Sequence, residues 1–220
     1  MQKLGTAGRS CRLVNNFFNE ALKDCLGLAN WRKVQQIKVG IAGAGGLGSN
    51  CAQHLVRCGF KHLVLADFDR VDYSNLNRQF FFHEQVNLLK VNALHSNLQQ
   101  INPAVEIEVV PERLNKNNMA EVFDQCQVVI EALDNAQCKR ELVEVFINTG
   151  KLLVTASGIA GWGKSDDIRV RRVRDNFYIV GDMVSEVGKN CPPVSPRVNI
   201  AAAKQADVVL SWVLGGGSIE

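Results

Sequence analysis

The chain predicts a doubly wound α/β fold, Rossmann-like, with a mostly parallel sheet, a late β extension and a C-terminal helix. Three observations carry this. Short apolar runs alternate with amphipathic helical stretches, a glycine-rich turn joins the first run to the helix after it, and no linker or repeat interrupts the alternation in 220 residues. With 46% apolar and 21% charged residues the chain is long enough to bury a real core. The expected organisation is an N-terminal helical segment over residues 1–36 and a single domain over residues 37–220.

Residues 12–36 carry Leu13, Phe17, Phe18, Leu22, Leu26 and Leu28 in a helical rhythm. KVGIAG from Lys38 is the first strand, and Ser49–Cys58 resumes helical spacing with Cys51, Leu55 and Val56 on one side. KHLVLADFD is the second strand. Residues 86–101 form an amphipathic helix that stops before Pro103, because the residue preceding proline avoids helical angles. Val105, Ile107 and Val109 alternate as a strand, Asn118–Cys126 is a short helix, and VVIEALD is a buried strand. A helix over 136–147 and the strand LLVTASG complete the alternation, which requires crossovers and so a parallel sheet covered on both faces. IRVRRVRD and NFYIVGD form a late β pair, followed by the loop CPPVSP and a final helix from Val198 to Leu214.

Composition narrows the chemistry. A net charge of +3 is too small to argue for nucleic acid or a membrane surface, and no run approaches the roughly 20 apolar residues of a membrane span. The first residues lack the apolar core of a secretion signal. Seven cysteines without a CxxC pair, beside four histidines without ligand spacing, argue against a closed zinc site and for free thiols in a reducing cytoplasm.

Gly43, Gly45 and Gly48 spell GxGxxG between a strand and a helix, with Gly46 inside the motif. The first glycine permits the tight turn, the second lets backbone approach phosphate, and the helix N-terminus offers free N–H groups to an anion. Asp67 follows at the end of the second strand, placed for ribose hydroxyls. A nicotinamide dehydrogenase would use the same elements. The residues beyond suit a triphosphate better: Asp69, Asn75, Arg78 and Gln79 lie in a long polar loop, Lys90 follows on a helix, and Asp134 ends the fourth strand. Two cations and a carboxylate around a phosphate turn fit ATP with Mg²⁺, although each charge taken singly fits a solvated surface equally well.

GAGGLGS, the block from Asp67 to Gln79 with its SNLNRQ, a lysine twelve residues after Arg78, INP before the third strand and the Asp134–Asn135 pair together resemble the ThiF and MoeB superfamily. That superfamily includes the adenylation domains of ubiquitin-activating enzymes. ASGIAGWGKSDDIRVRR and PRVNIAAAKQA look like its short, zinc-free class. The resemblance implies ATP- and Mg²⁺-dependent adenylation of the Gly-Gly carboxylate of a small ubiquitin-like sulfur carrier, ThiS-like, in thiamine biosynthesis, by a homodimer. By matching position, Asp67 would bind ribose, Asn75, Arg78 and Lys90 the phosphates, and Asp134 the metal. The larger members bind zinc through two CxxC pairs, which this chain lacks. They also supply an arginine from the partner's N-terminal helix, for which Arg9, Arg12 and Arg32 are candidates without a motif match. Cys191 sits near the position of their crossover-loop cysteine, in a sequence context that differs.

Arg169, Arg171, Arg172 and Arg174 read equally as a solvated edge strand and as a surface for an acidic carrier. Two further functions compete with carrier adenylation: activation of a carboxyl on a modified tRNA nucleoside, and nucleotide or carrier binding without turnover. Retention of Arg78, Lys90 and Asp134 together speaks against a mere binder.

Overall fold

The computed structural model describes residues 17–215, so Arg9, Cys11, Arg12 and Leu13 lie outside the described residues. The described part of the leading segment is two helices, α1 (Phe17–Leu26) and α2 (Leu28–Gln35). The break falls at Gly27, whose φ of 77° is a left-handed value that only glycine adopts cheaply.

Seven strands form one sheet: β1 (Lys38–Ala42), β2 (His62–Ala66), β3 (Glu106–Val110), β4 (Val128–Glu131), β5 (Leu152–Ala156), β6 (Arg169–Arg174) and β7 (Phe177–Gly181). Their spatial order is β3-β2-β1-β4-β5-β7-β6. All neighbours are parallel except β6, which runs antiparallel to β7 and forms an outer edge. The late β pair is therefore a hairpin appended to a parallel sheet. Its four arginines are exposed on that edge, where charge discourages pairing with another chain.

The sheet is sandwiched between two apolar layers. One holds α3 (Gly46–Arg57), α4 (Lys90–Ile101) and α7 (Ser195–Leu214), with Leu55, Leu94 and Val209 inaccessible to solvent. The other holds α5 (Met119–Val122) and α6 (Ala136–Phe146), with Met119, Phe123, Leu142 and Phe146 packed on the opposite sheet face. Gly40 in β1 is required by this second layer, because a Cβ there would lie 2.4 Å from the Phe123 ring.

Among the element bounds that differ from the sequence expectation, three have a physical reason visible in the structure. Helix α4 begins at Lys90 rather than residue 86, because residues 86–89 strap the loop after β2. Val71 N–H donates to Leu88 O at 2.9 Å and Asn87 N–H to Val71 O at 2.8 Å. Strand β4 stops at Glu131, since Leu133 N–H turns back to the Glu131 carboxylate and leaves the ladder. Helix α7 starts at Ser195, three residues earlier than the apolar rhythm indicates. Pro196 is tolerated there because first-turn N–H groups have no helical partner.

Candidate functional site

The chain adds strands outward from β1 to β2 and β3 on one side and from β4 to β5 on the other, so the order reverses between β1 and β4 and opens a crevice at their C-terminal ends. The glycine turn fills the floor of that crevice. Gly43 has φ 98°, and a Cβ on it would lie 2.6 Å from Ala132 O. A Cβ on Gly48 would lie 1.8 Å from Gly43 O. Both positions therefore need glycine for packing alone. Gly45 is different: a Cβ there would meet nothing nearer than Gln79 Nε2 at 3.9 Å. Its missing side chain leaves open space above a helix N-terminus, which is where an anion gains from the unpartnered N–H groups of α3.

Asp67 is tied to this turn. Its Oδ2 accepts from Ala44 N–H at 2.7 Å and its Oδ1 from Asp69 N–H at 2.8 Å. The ribose candidate is thus held beside the phosphate turn by backbone donors of both. Arg78 crosses the turn on its other flank: a Cβ on Gly46 would lie 3.5 Å from Arg78 Cγ. The Arg78 guanidinium donates to Ser74 O at 3.0 Å and Asn77 Oδ1 at 2.8 Å. Gln79 is buried near Gly45, and its Oε1 has no hydrogen-bond partner among the described residues.

Asn75 and Asp69 have local partners. Asn75 Oδ1 accepts from Asp72 N–H at 3.0 Å and so closes the turn that presents Arg78. Asp69 Oδ2 lies 2.8 Å from Lys90 Nζ, with Lys90 only 7% exposed at the start of α4. Of the two expected cations, Arg78 has neutral partners among the described residues, whereas Lys90 reaches the sheet edge ion-paired with Asp69. Asp134 is exposed just beyond Ala132, whose carbonyl packs on Gly43, and makes no hydrogen bond or ion pair among the described residues. Asn135 caps α6, its Oδ1 accepting from Gln137 and Cys138 N–H at 3.0 Å each.

Sequence reasoning missed Ser49 and Asn50. Asn50 Nδ2 donates to Gly46 O at 2.7 Å and Arg78 O at 2.8 Å, while Ser49 Oγ donates to Gly45 O and accepts from Phe80 N–H. These two side chains weld the glycine turn to the loop carrying Arg78. Buried polar residues in an otherwise apolar helical face were the available signal.

A second cavity of about 590 Å³ opens on the same sheet edge beyond β5 and β7. Its wall carries Lys164, Arg169, Arg171 and Arg197 against Asp167 and Asp182, with Trp162 at the rim and the Cys191 thiol inside. Arg197, 4% exposed, donates to Gly163 O and Lys164 O and is ion-paired with Asp182. Burial alone would raise the Asp182 pKa. Hydrogen bonds from Ser185 and Val184 N–H, from the Ser185 side chain and from Arg197 outweigh it and hold the carboxyl below its ordinary range. The next residue, Val198, packs on the glycine turn, where a Cβ on Gly46 would lie 2.9 Å from Val198 Cγ1. One turn of α7 therefore stands between the anion-favouring cavity and the nucleotide crevice.

No three His, Cys, Asp or Glu side chains gather as a metal cluster among the described residues, and no helix of theirs is long and apolar enough to cross a membrane. Arg32 is exposed on α2.

A glycine turn at the topological switch point, an acidic residue bonded to it and an arginine laid across it define a nucleotide-binding α/β domain. The model of the ThiF family matches residues 18–217, and the chain belongs to that family. It is 33% identical over 134 residues to the adenylyltransferase and sulfurtransferase UBA4 of Lodderomyces elongisporus, covering 60% of this chain and 30% of that protein. It is 35% identical over 111 residues to the molybdopterin-synthase adenylyltransferase of Haemophilus influenzae, covering 50% of this chain and 46% of that one. The chain thus spans less than half the length of these curated relatives. Among solved structures it shares the fold of the E. coli tRNA N6-threonylcarbamoyladenosine dehydratase in complex with AMP. The TM-score is 0.81 at 20% identity, over 89% of this chain and 93% of that one.

Proposed function

We propose that this chain adenylates the C-terminal carboxylate of a small ubiquitin-like sulfur carrier ending in Gly-Gly, a ThiS-like protein of thiamine biosynthesis, using ATP. The observation that carries the proposal is the adjacency of two anion-favouring spaces, the open turn at Gly45 and the basic cavity beside Arg197, separated by the first turn of α7. ATP occupies the first. The carrier tail, whose last residues lack side chains, enters the second and brings its carboxylate to the α-phosphate.

In the reaction a carboxylate oxygen forms a bond to the α-phosphorus, the α–β phosphoanhydride bond breaks, and pyrophosphate leaves with the electron pair. The attacking carboxylate is ionised near neutral pH, so no general base is needed. The protein supplies placement and charge. Ser49 and Asn50 hold the turn rigid, Asp67 fixes the ribose, and Arg78 lies across Gly46 to meet the phosphate charge. Lys90 divides its charge between Asp69 and the nucleotide. Asp134, a hard oxygen donor without a partner among the described residues, would hold a Mg²⁺ ion. When bound, that ion offsets charge on the departing pyrophosphate.

Cys191 has no step in adenylation. A homodimer belongs to the same proposal, supported by the exposed Tyr73, Phe82 and Leu88 beside the nucleotide loop. The deciding experiment is exchange of labelled pyrophosphate into ATP. Exchange that appears only with a Gly-Gly carrier is the expected result; exchange driven instead by a carboxyl-bearing tRNA, or none with any carrier, overturns the proposal.

A further inference from the structure

Glu131 ends β4 with 1% of its surface exposed, an acidic residue closing an otherwise apolar strand. A carboxylate at that depth costs several kcal/mol unless a cation and donors meet it. They do. Oε1 accepts from Leu133 N–H at 2.7 Å and from Lys139 Nζ at 2.8 Å, and Oε2 from the same Nζ at 3.0 Å. Lys139, on α6, also donates to Ala156 O at the end of β5 at 3.3 Å. From α7, Gln205 Nε2 holds the Glu131 main-chain carbonyl at 3.1 Å. Four elements converge on one side chain and its peptide.

The peptide gripped by Glu131 is the one that matters to the crevice. Leu133 directly precedes Asp134, and the Ala132–Leu133 peptide is also what Gly43 packs against, with a Cβ on Gly43 falling 2.6 Å from Ala132 O and 3.3 Å from Leu133 N. Apolar residues of equal size would stabilise such a site as well as or better than a buried ion pair. What the pair adds is direction: a fixed acceptor for one N–H, held by a cation that is itself anchored to two other elements.

We infer that Glu131 and Lys139 are a positioning pair that fixes the Leu133 peptide and, through it, the distance between the phosphate turn and the Asp134 carboxylate. Neither residue touches substrate. Because the assignment rests on the adenylation proposal for its metal arm, its test has one readout that does not.

The variants are Glu131→Gln, which keeps an acceptor for Leu133 but loses the charge holding Lys139, Lys139→Met, and the conservative Lys139→Arg. ATP affinity is measured calorimetrically with and without Mg²⁺, and amide hydrogen exchange is followed over residues 132–135. In Glu131→Gln and Lys139→Met the metal-free ATP affinity stays within threefold of the parent. The gain in affinity from Mg²⁺ shrinks at least tenfold, and exchange over 132–135 speeds at least tenfold. Lys139→Arg restores both to within threefold. Adding Asp134→Asn to Glu131→Gln loses no further Mg²⁺ gain, since both act through one carboxylate. Unchanged exchange over 132–135 overturns the inference whatever the metal does. Full Mg²⁺ gain in Asp134→Asn alone overturns the metal assignment instead. If Glu131→Gln fails to fold, the contrast between Lys139→Met and Lys139→Arg decides.

Discussion

Gly45 and Gly48 occupy the same motif for different reasons, and alanine at each position separates packing from binding. At Gly48 the new Cβ would lie 1.8 Å from Gly43 O, against an ordinary carbon–oxygen contact of about 3.2 Å, so something must move by more than ~1 Å. Gly43 cannot yield easily: its N–H donates to Ala66 O at 2.8 Å, and the space beside it is closed by Ala132 O, 2.6 Å from where a Cβ would stand. Forced movement of packed backbone costs about 1–3 kcal/mol, which for a domain of this size lowers the melting temperature by roughly 4–8 °C at the midpoint of that range. At Gly45 the Cβ meets only Gln79 Nε2 at 3.9 Å, and φ is −78°, so stability should stay within ~1 kcal/mol of the parent. ATP affinity, however, should fall at least tenfold, because the methyl occupies the approach of a phosphate to the helix N-terminus. Thermal unfolding and calorimetric ATP titration of both variants make the comparison. Parent-like binding in Gly45→Ala, or a parent-like melting temperature in Gly48→Ala, would refute the division of labour.

Arg78→Ala removes a guanidinium whose bonds are to Ser74 O and Asn77 Oδ1, so the melting temperature should move by less than ~3 °C while pyrophosphate exchange falls roughly a hundredfold or more, about 3 kcal/mol in the barrier. Asp182 has its pKa depressed in the folded state, so it adds stability above its unfolded value near 4 that is lost as pH falls through the lower folded value. Asp182→Asn should therefore destabilise at pH 7, and chemical denaturation should show the gap to the parent narrowing below pH ~4. Burial raises the Cys126 thiol to about 11 and pushes Cys51 higher still, so among the described cysteines a thiol reagent at pH 8 should label the exposed Cys25 first and leave both buried ones intact until unfolding, as mass spectrometry will read directly. Labelling of Cys51 in the folded protein would contradict the packing of α3.

Periodicity and glycine placement made the sheet, its parallel run and the phosphate turn readable without coordinates, because each is a local pattern: period two or a continuous apolar run for strands, a strand–glycine–helix junction for the turn. The late hairpin was readable for the same reason, although nothing local says that β7 inserts between β5 and β6. What escaped was pairing at long range. Lys90 and Asp69 are 21 residues apart and Glu131 and Gln205 are 74 apart, and no spacing rule joins them. Glu131 did leave a trace, an acid in a run that burial should keep apolar, yet VVIEALD reads as one strand until the Leu133 N–H is seen to fold back. The leading helical segment hides its break in the same way: its apolar rhythm continues through Gly27, and the left-handed angle there divides it into two helices.

Val198 resting on Gly46 means that the nucleotide turn is built from residues about 150 positions apart. During synthesis the glycine motif leaves the ribosome early, with β1 and α3, but its cover arrives only with α7. Until then the turn is open on the side that Val198 will occupy, and Glu131 lacks the amide of Gln205. A nascent chain stalled before α7 should show the parallel strands forming in order while remaining blind to ATP. Nucleotide capture would then report that α7 has docked, with no separate signal required.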